Sequence, residues 1–271
     1  MMKGLFNYET AYMQYTLACL DDFAKDNIQY AEIRPNFMTT NQVWTDDGKI
    51  KLNNEKIMNL IIDGYETFQR RHQYKIFKGL KVIYCTPRSF SKRLVAAALK
   101  ECLEFKKKFP DFIAGERTKY LSLHRTKETN HCVIGFDLVG EEGNEKPNPL
   151  NFFAEEFLQF QIDCRAAGKD IPFLFHCGET QENGTATDQN LFDAVLLGAK
   201  RIGHGFAVPW HPWVMAQMKE KDICVELCPI SNEILGLTPR IGGHSAYTLL
   251  ANNVPCTIST DNGTLFRYVL I

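Results

Sequence analysis

The chain has 271 residues, enough for one large domain, and its 45% hydrophobic and 23% charged residues are ordinary for a globular domain. A net charge of −1 argues against a binder of nucleic-acid phosphates, which is usually basic. No apolar run reaches the roughly 18–20 residues of a membrane span, and Met1-Met2-Lys3-Gly4-Leu5-Phe6 passes at once into Asn7, Tyr8 and Glu9 without a signal-peptide core.

Apolar periodicity predicts an opening helix over Glu9–Lys25 and then a strand over Ile28–Ile33. Ile57, Leu60, Ile61, Tyr65 and Phe68 recur at helical spacing within Asn54–His72, ahead of a strand at Leu80–Tyr84. Leu94, Ala97, Ala98, Cys102 and Phe105 do the same within Ser91–Phe109. A largely polar stretch from Glu116 to His131 then reads either as a long surface loop or as an insert left by an imperfect gene model or alternative transcript, before a strand at Cys132–Leu138. Helices are predicted over Phe152–Ala167, Asp188–Ala199, Pro212–Glu220 and Ser245–Asn252. Strands are predicted at Pro172–Phe175, Arg201–Gly205, Ile223–Leu227 and Pro255–Ser259. All the strands are short, apolar runs rich in β-branched or aromatic residues, as strands buried on both faces are. Their alternation with helices predicts βαβ units, a parallel sheet and a single domain over 1–271. The count of seven strands is one short of a closed eight-stranded barrel, which would add a strand at the front and a helix at the end. A doubly wound open sheet is the alternative.

The chemically capable residues sit where these strands stop. His176-Cys177-Gly178-Glu179 follows Pro172–Phe175, so an imidazole emerges at a strand end with a carboxylate three residues on. That closeness suits a metal ligand beside a group that carries a proton. His204 lies between Gly203 and Gly205 at the next strand end, where small residues let a ligand approach. Asp261 follows Ile258-Ser259-Thr260 at the last one. Each alone reads as an ordinary polar loop residue; the three together, at successive strand ends, point to a metal-assisted hydrolase. Gly140 ends the run Gly135-Phe136-Asp137-Leu138-Val139 and offers a bare backbone amide. The nine cysteines, mostly in apolar surroundings, read as buried thiols without a disulfide framework. Cys224 and Cys228 lack the Pro-Cys-x-x-Cys and His-x-Glu pattern of a cytidine-deaminase zinc site.

These segments, with Tyr30-Ala31-Glu32-Ile33-Arg34, Phe136-Asp137-Leu138-Val139-Gly140 and Cys228-Pro229-Ile230-Ser231-Asn232, resemble the adenosine deaminase family, in particular its adenosine deaminase-related growth factor branch. The resemblance covers nearly the whole chain. It implies an α/β fold, the (β/α)8 TIM barrel of the metal-dependent hydrolase type, here incomplete at its first strand and last helix. It also implies an enzyme that deaminates adenosine or 2′-deoxyadenosine hydrolytically to the inosine product and ammonia, with one zinc ion. Carried over residue by residue, His176 and Asp261 match zinc ligands. Glu179 matches the proton donor at purine N1, and His204 the histidine that orients the attacking water. Gly140 and Asn262 match substrate-binding positions, Asn262 standing where the family has an aspartate.

The family's His-x-His pair, on its first strand, has no counterpart in this sequence. Two alternatives therefore stand beside adenosine deamination: a pseudoenzyme that binds a purine or a partner without catalysis, and a deaminase of another 6-aminopurine such as AMP. The expected partner is a small purine nucleoside, with neither nucleic acid nor membrane, and the resemblance allows a homodimer. The branch is typically extracellular.

Overall fold

The computed structural model describes residues 6–35, 37, 43–71, 77–109, 132–143 and 148–261. The expected substrate-binding Asn262 and the polar stretch 116–131 lie outside the described residues. The chain divides into two compact units, Met1–Cys85 with Glu101–Ile134, and Thr86–Lys100 with Gly135–Ile271. Among the described residues no helix is long and apolar enough to cross a membrane.

Seven strands alternate with helices, and the strand pairs with a defined register are all parallel. β1 (Tyr30–Ile33), β2 (Gly79–Pro87) and β3 (Val133–Val139) form one ordered set, and β4 (Leu174–Cys177), β5 (Arg201–His204), β6 (Cys224–Leu227) and β7 (Cys256–Ile258) the other. The helices are α1 (Glu9–Lys25), α2 (Asn54–Arg70), α3 (Lys92–Lys108), α4 (Ala154–Ala166), α5 (Asn190–Leu196), α6 (Pro212–Glu220), α7 (Pro229–Ile234) and α8 (Ala246–Ala251). The predicted strands are all present within three residues of their expected bounds, the largest departure being β2, which runs on through Pro87. α7 is the addition: it covers Pro229–Ile234 just after Cys228, too short for periodicity to show, and starts with proline at its first position.

In the first unit, Asn53 precedes α2 and its side chain accepts from the Lys56 N–H at 2.9 Å, capping the helix. Its buried stripe of Ile57, Met58, Ile61, Tyr65 and Phe68 faces the core. A second, aromatic cluster joins Phe37, Tyr84 and Phe105, with Phe37 stacked on Tyr84 at 4.7 Å between centroids. The Tyr84 hydroxyl is not left unpaired: it donates to Glu101 at 2.5 Å, and the Asn54 amide donates to the same oxygen at 2.6 Å.

In the second unit, Phe136 of β3 forms a parallel bridge to Phe173, and its N–H donates to the Pro172 carbonyl at 3.0 Å. β4 follows directly and pairs with β5 in the register His176↔Gly203 and Cys177↔His204. This register sets His176 and His204 close together at the C-terminal ends of neighbouring strands, where parallel α/β sheets bind ligands. Phe157 of α4 packs the sheet from behind, 5.0 Å from Phe175, 5.2 Å from Phe173 and 6.2 Å from Phe136 between ring centroids. It is fully buried. Phe157→Ala is expected to cost about 3–5 kcal/mol, because the cavity cannot collapse against a rigid sheet. Urea denaturation with an unchanged slope checks this.

Candidate active site

The site grows from the end of β4. The His176 N–H donates to Asp137 Oδ1 at 2.9 Å, and its ring Nδ1 lies 2.6 Å from Asp137 Oδ2. Asp137, on β3, is fully buried. A carboxylate accepts, so the proton sits on Nδ1 and the lone pair of Nε2 is turned outward, the state a metal-ligating histidine needs. Gly203 makes room for this ring across the strand pair, since a Cβ there would stand 3.3 Å from His176 Nδ1.

The loop after His176 is held by a second buried carboxylate. Glu142 accepts the N–H of Gly178 at 3.1 Å and that of Glu179 at 3.4 Å, and the Asn190 amide donates to it at 3.1 Å. The Asn190 carbonyl accepts from the Leu150 N–H at 2.8 Å, which fixes its NH2 end on Glu142. Arg88 lies 3.8 Å from Glu142 and donates from Nη2 to the His176 carbonyl at 2.7 Å and, more weakly, to that of Leu138 at 3.3 Å. Gly178 takes φ +73°, and a Cβ there would press on Leu191 at 2.9 Å, so this turn requires glycine.

That turn delivers Glu179 to His204. Glu179 Oε1 stands 2.8 Å from His204 Nδ1, and the rings of His176 and His204 are 5.0 Å apart. His204 is buried and holds φ +62°, a backbone state rare outside glycine that cluster packing must sustain. Burial opposes charge on Glu179, but the hydrogen bond and charge of His204, with His176 and Arg88 further off, hold its carboxyl below the ordinary carboxylate range. Burial likewise opposes the His204 cation, but hydrogen bonds to Cys228 and Glu179 and the charge on Glu179 outweigh it and hold its pKa well above the usual value.

The structure thus brings together His176, Glu179 and His204. Gly140 follows β3 at φ +114°, and Asp261 is exposed after β7 with its N–H on Ser259 Oγ at 3.2 Å. Among the described residues neither hydrogen-bonds to the other three. Nor is any group of three or more His, Cys, Asp or Glu gathered around a point that could hold a metal ion. His176 fits a zinc ion as one prepared ligand, but the described residues do not complete the usual three or four. Sequence reasoning passed over Asp137, Glu142, Arg88, Asn232 and His244. Asp137 carried a signal, a charged residue inside an apolar strand; Glu142 and His244 carried none.

The adenosine deaminase family model matches residues 2–271. The chain belongs to the adenosine deaminase family. It is 36% identical over 265 residues to an adenosine deaminase of Lutzomyia longipalpis, covering 97% of this chain and 45% of that one. It is 30% identical over 269 residues to human adenosine deaminase 2, covering 98% and 46%. The chain therefore spans a little under half the length of these curated relatives. Among solved structures, the N6-methyl-AMP deaminase of Arabidopsis thaliana superposes with a TM-score of 0.69 at 18% identity, covering 96% of this chain and 64% of that one. A zinc-bound amidohydrolase of Burkholderia ambifaria superposes at 0.67 and 19% identity, covering 96% and 60%. These likenesses show the fold, a (β/α)8 barrel, with seven strands among the described residues.

The geometry of this candidate site makes two predictions. Removing Glu142 leaves Arg88 buried without its countercharge and frees two backbone amides, so Glu142→Leu is expected to cost about 3–5 kcal/mol in chemical denaturation. The Glu179–His204 pair sets a pH window. The Glu179 contribution is complete above its ordinary 4.5 and is lost as pH falls through its lowered folded value. The His204 contribution is complete below its ordinary 6.5 and is lost as pH rises through its raised folded value. The stability difference between the unaltered chain and His204→Gln, in chelator-treated buffer, is expected to peak between those values and shrink on both sides. A difference that is flat across pH would contradict the ion pair.

Proposed function

We propose that this chain acts as a zinc-dependent adenosine deaminase, converting adenosine or 2′-deoxyadenosine with water to inosine or 2′-deoxyinosine and ammonia. The observation that carries this reading is the Glu179–His204 contact of 2.8 Å beside His176, at the ends of adjacent parallel strands. The family model over 2–271 and the adenosine deaminases among its relatives support the substrate class.

The chemistry asked of these residues is proton traffic at a purine. The C6 amino group of adenosine is a poor leaving group while the ring is aromatic and neutral. A proton placed on N1 draws charge from the ring and opens C6 to water. Glu179 is assigned this proton, since it is anchored by backbone amides held on Glu142 and can recover a proton through its contact with His204. His204, rigid in its strained backbone state, is assigned the orientation of the attacking water on the same side. Gly140 and Asn262 are assigned the purine, Gly140 through its backbone N–H; an Asn262 amide can donate to N7 directly, whereas a carboxyl would first need a proton.

Zinc is assigned on the family and on the bound metal of the Burkholderia ambifaria structure. His176 and Asp261 are the ligands this chain would contribute. No step above is routed through the ion, because the described residues leave its ligand set incomplete.

The test is deamination of adenosine by the purified chain, followed by ultraviolet absorbance with added zinc, beside Glu179→Gln. Turnover is expected, with Glu179→Gln lowering kcat by about 10²–10⁴-fold. A folded chain without turnover, or a Glu179→Gln variant as fast as the original, would reject the assignment.

A further inference from the structure

Asn232 and His244 are buried and belong to no step above. His244 sits just before α8, its ring edge-on to Phe206 at 5.3 Å between centroids. Its Nδ1 accepts from the Ala246 backbone N–H at 2.9 Å. A backbone amide can only donate, so Nδ1 carries the lone pair and Nε2 the proton. The Nε2–H then donates to Asn232 Oδ1 at 2.9 Å. This decides which end of the Asn232 amide is oxygen.

The other end of the amide points into the candidate site. Asn232 Nδ2 lies 3.2 Å from His204 Nδ1 and 3.4 Å from Glu179 Oε1, the two atoms that are themselves 2.8 Å apart. Those two groups share one proton between them, so one of them is always an acceptor. An NH2 group placed against both can donate to whichever accepts and never competes for the shared proton. A flipped amide would set Oδ1 against the Glu179 oxygen, and two facing acceptors would repel.

We propose that His244 and Asn232 are positioning residues for the Glu179–His204 pair, His244 acting only through the orientation it imposes on the Asn232 amide. The catalytic consequence rests on the adenosine deaminase reading; the geometry of the relay does not. Neither residue is among the expected zinc ligands or purine contacts. If they were merely satisfied buried polar groups, their losses would reach the site independently and would add.

The experiment uses the 271-residue chain and four variants: His244→Leu, His244→Gln, Asn232→Leu and the double leucine variant. Histidine-selective ¹⁵N NMR gives the first readout, without any need for activity. The unaltered chain is expected to show His244 as the Nε2–H tautomer, and His204 ring resonances are expected to move in His244→Leu and Asn232→Leu. His244→Gln, which keeps a donor toward Asn232, is expected to restore them. Adenosine turnover gives the second. Each leucine variant is expected to lose about 10²-fold in kcat with KM little changed, and the double variant no more than Asn232→Leu alone.

An Nδ1–H tautomer in the unaltered chain overturns the proposal, and this result needs no variant to fold. So do His204 resonances unmoved in a folded His244→Leu, or additive losses in the double variant. A chain that shows the relay by NMR but does not turn over adenosine rejects the function while the positioning pair stands.

Discussion

The site depends on one buried carboxylate that performs no chemistry. Glu142 collects the backbone amides of Gly178 and Glu179 and the Asn190 side chain, with Arg88 as its countercharge. A loop after a strand is normally the most mobile part of an α/β fold. Here two of its N–H groups are spent on a side chain that cannot move, because Asn190 is itself locked by the Leu150 N–H. Glu179 consequently reaches His204 with its backbone already fixed. The cost is an ion pair out of water, which Arg88 offsets only partly: its Nε and Nη1 have no partner among the described residues.

The same principle recurs around each functional side chain. Asp137 orients His176 from β3, and the Ala246 amide orients His244, which orients Asn232. His176 and His244 are thereby each given one tautomer by a group behind the ring. Preorganisation of this kind lets a site act on a reactant without reorganising at the moment of reaction. The parallel register of β4 and β5 supplies the frame, by placing His176 opposite Gly203 and Cys177 opposite His204.

The strands were readable because buried parallel strands are short apolar runs between glycines and polar loops, and Arg201–His204 and Cys224–Leu227 fall where that signal ends. α1 and α6 have their predicted bounds, since both show clear helical patterns with turn residues at their ends. α7 was not readable, because six residues carry no usable period. His176, Glu179 and His204 were legible as residues at strand ends, and the family resemblance named their roles. Their convergence was not legible: Glu179 reaches His204 across 25 positions of sequence only because Gly178 turns the chain at positive φ.

The sequence by itself determined the class of fold, the family, and the kinds of side chain available at each strand end. Periodicity and short motifs are local properties, and they survive without any knowledge of what lies across the sheet. The tertiary structure alone decided the supporting network. Glu142 comes from a loop 37 residues before Glu179, and Asn232 lies 53 residues after it. No local pattern marks a buried polar residue as the partner of another one so far along the chain. Only burial, which makes an unpaired polar group costly, forces such pairs together.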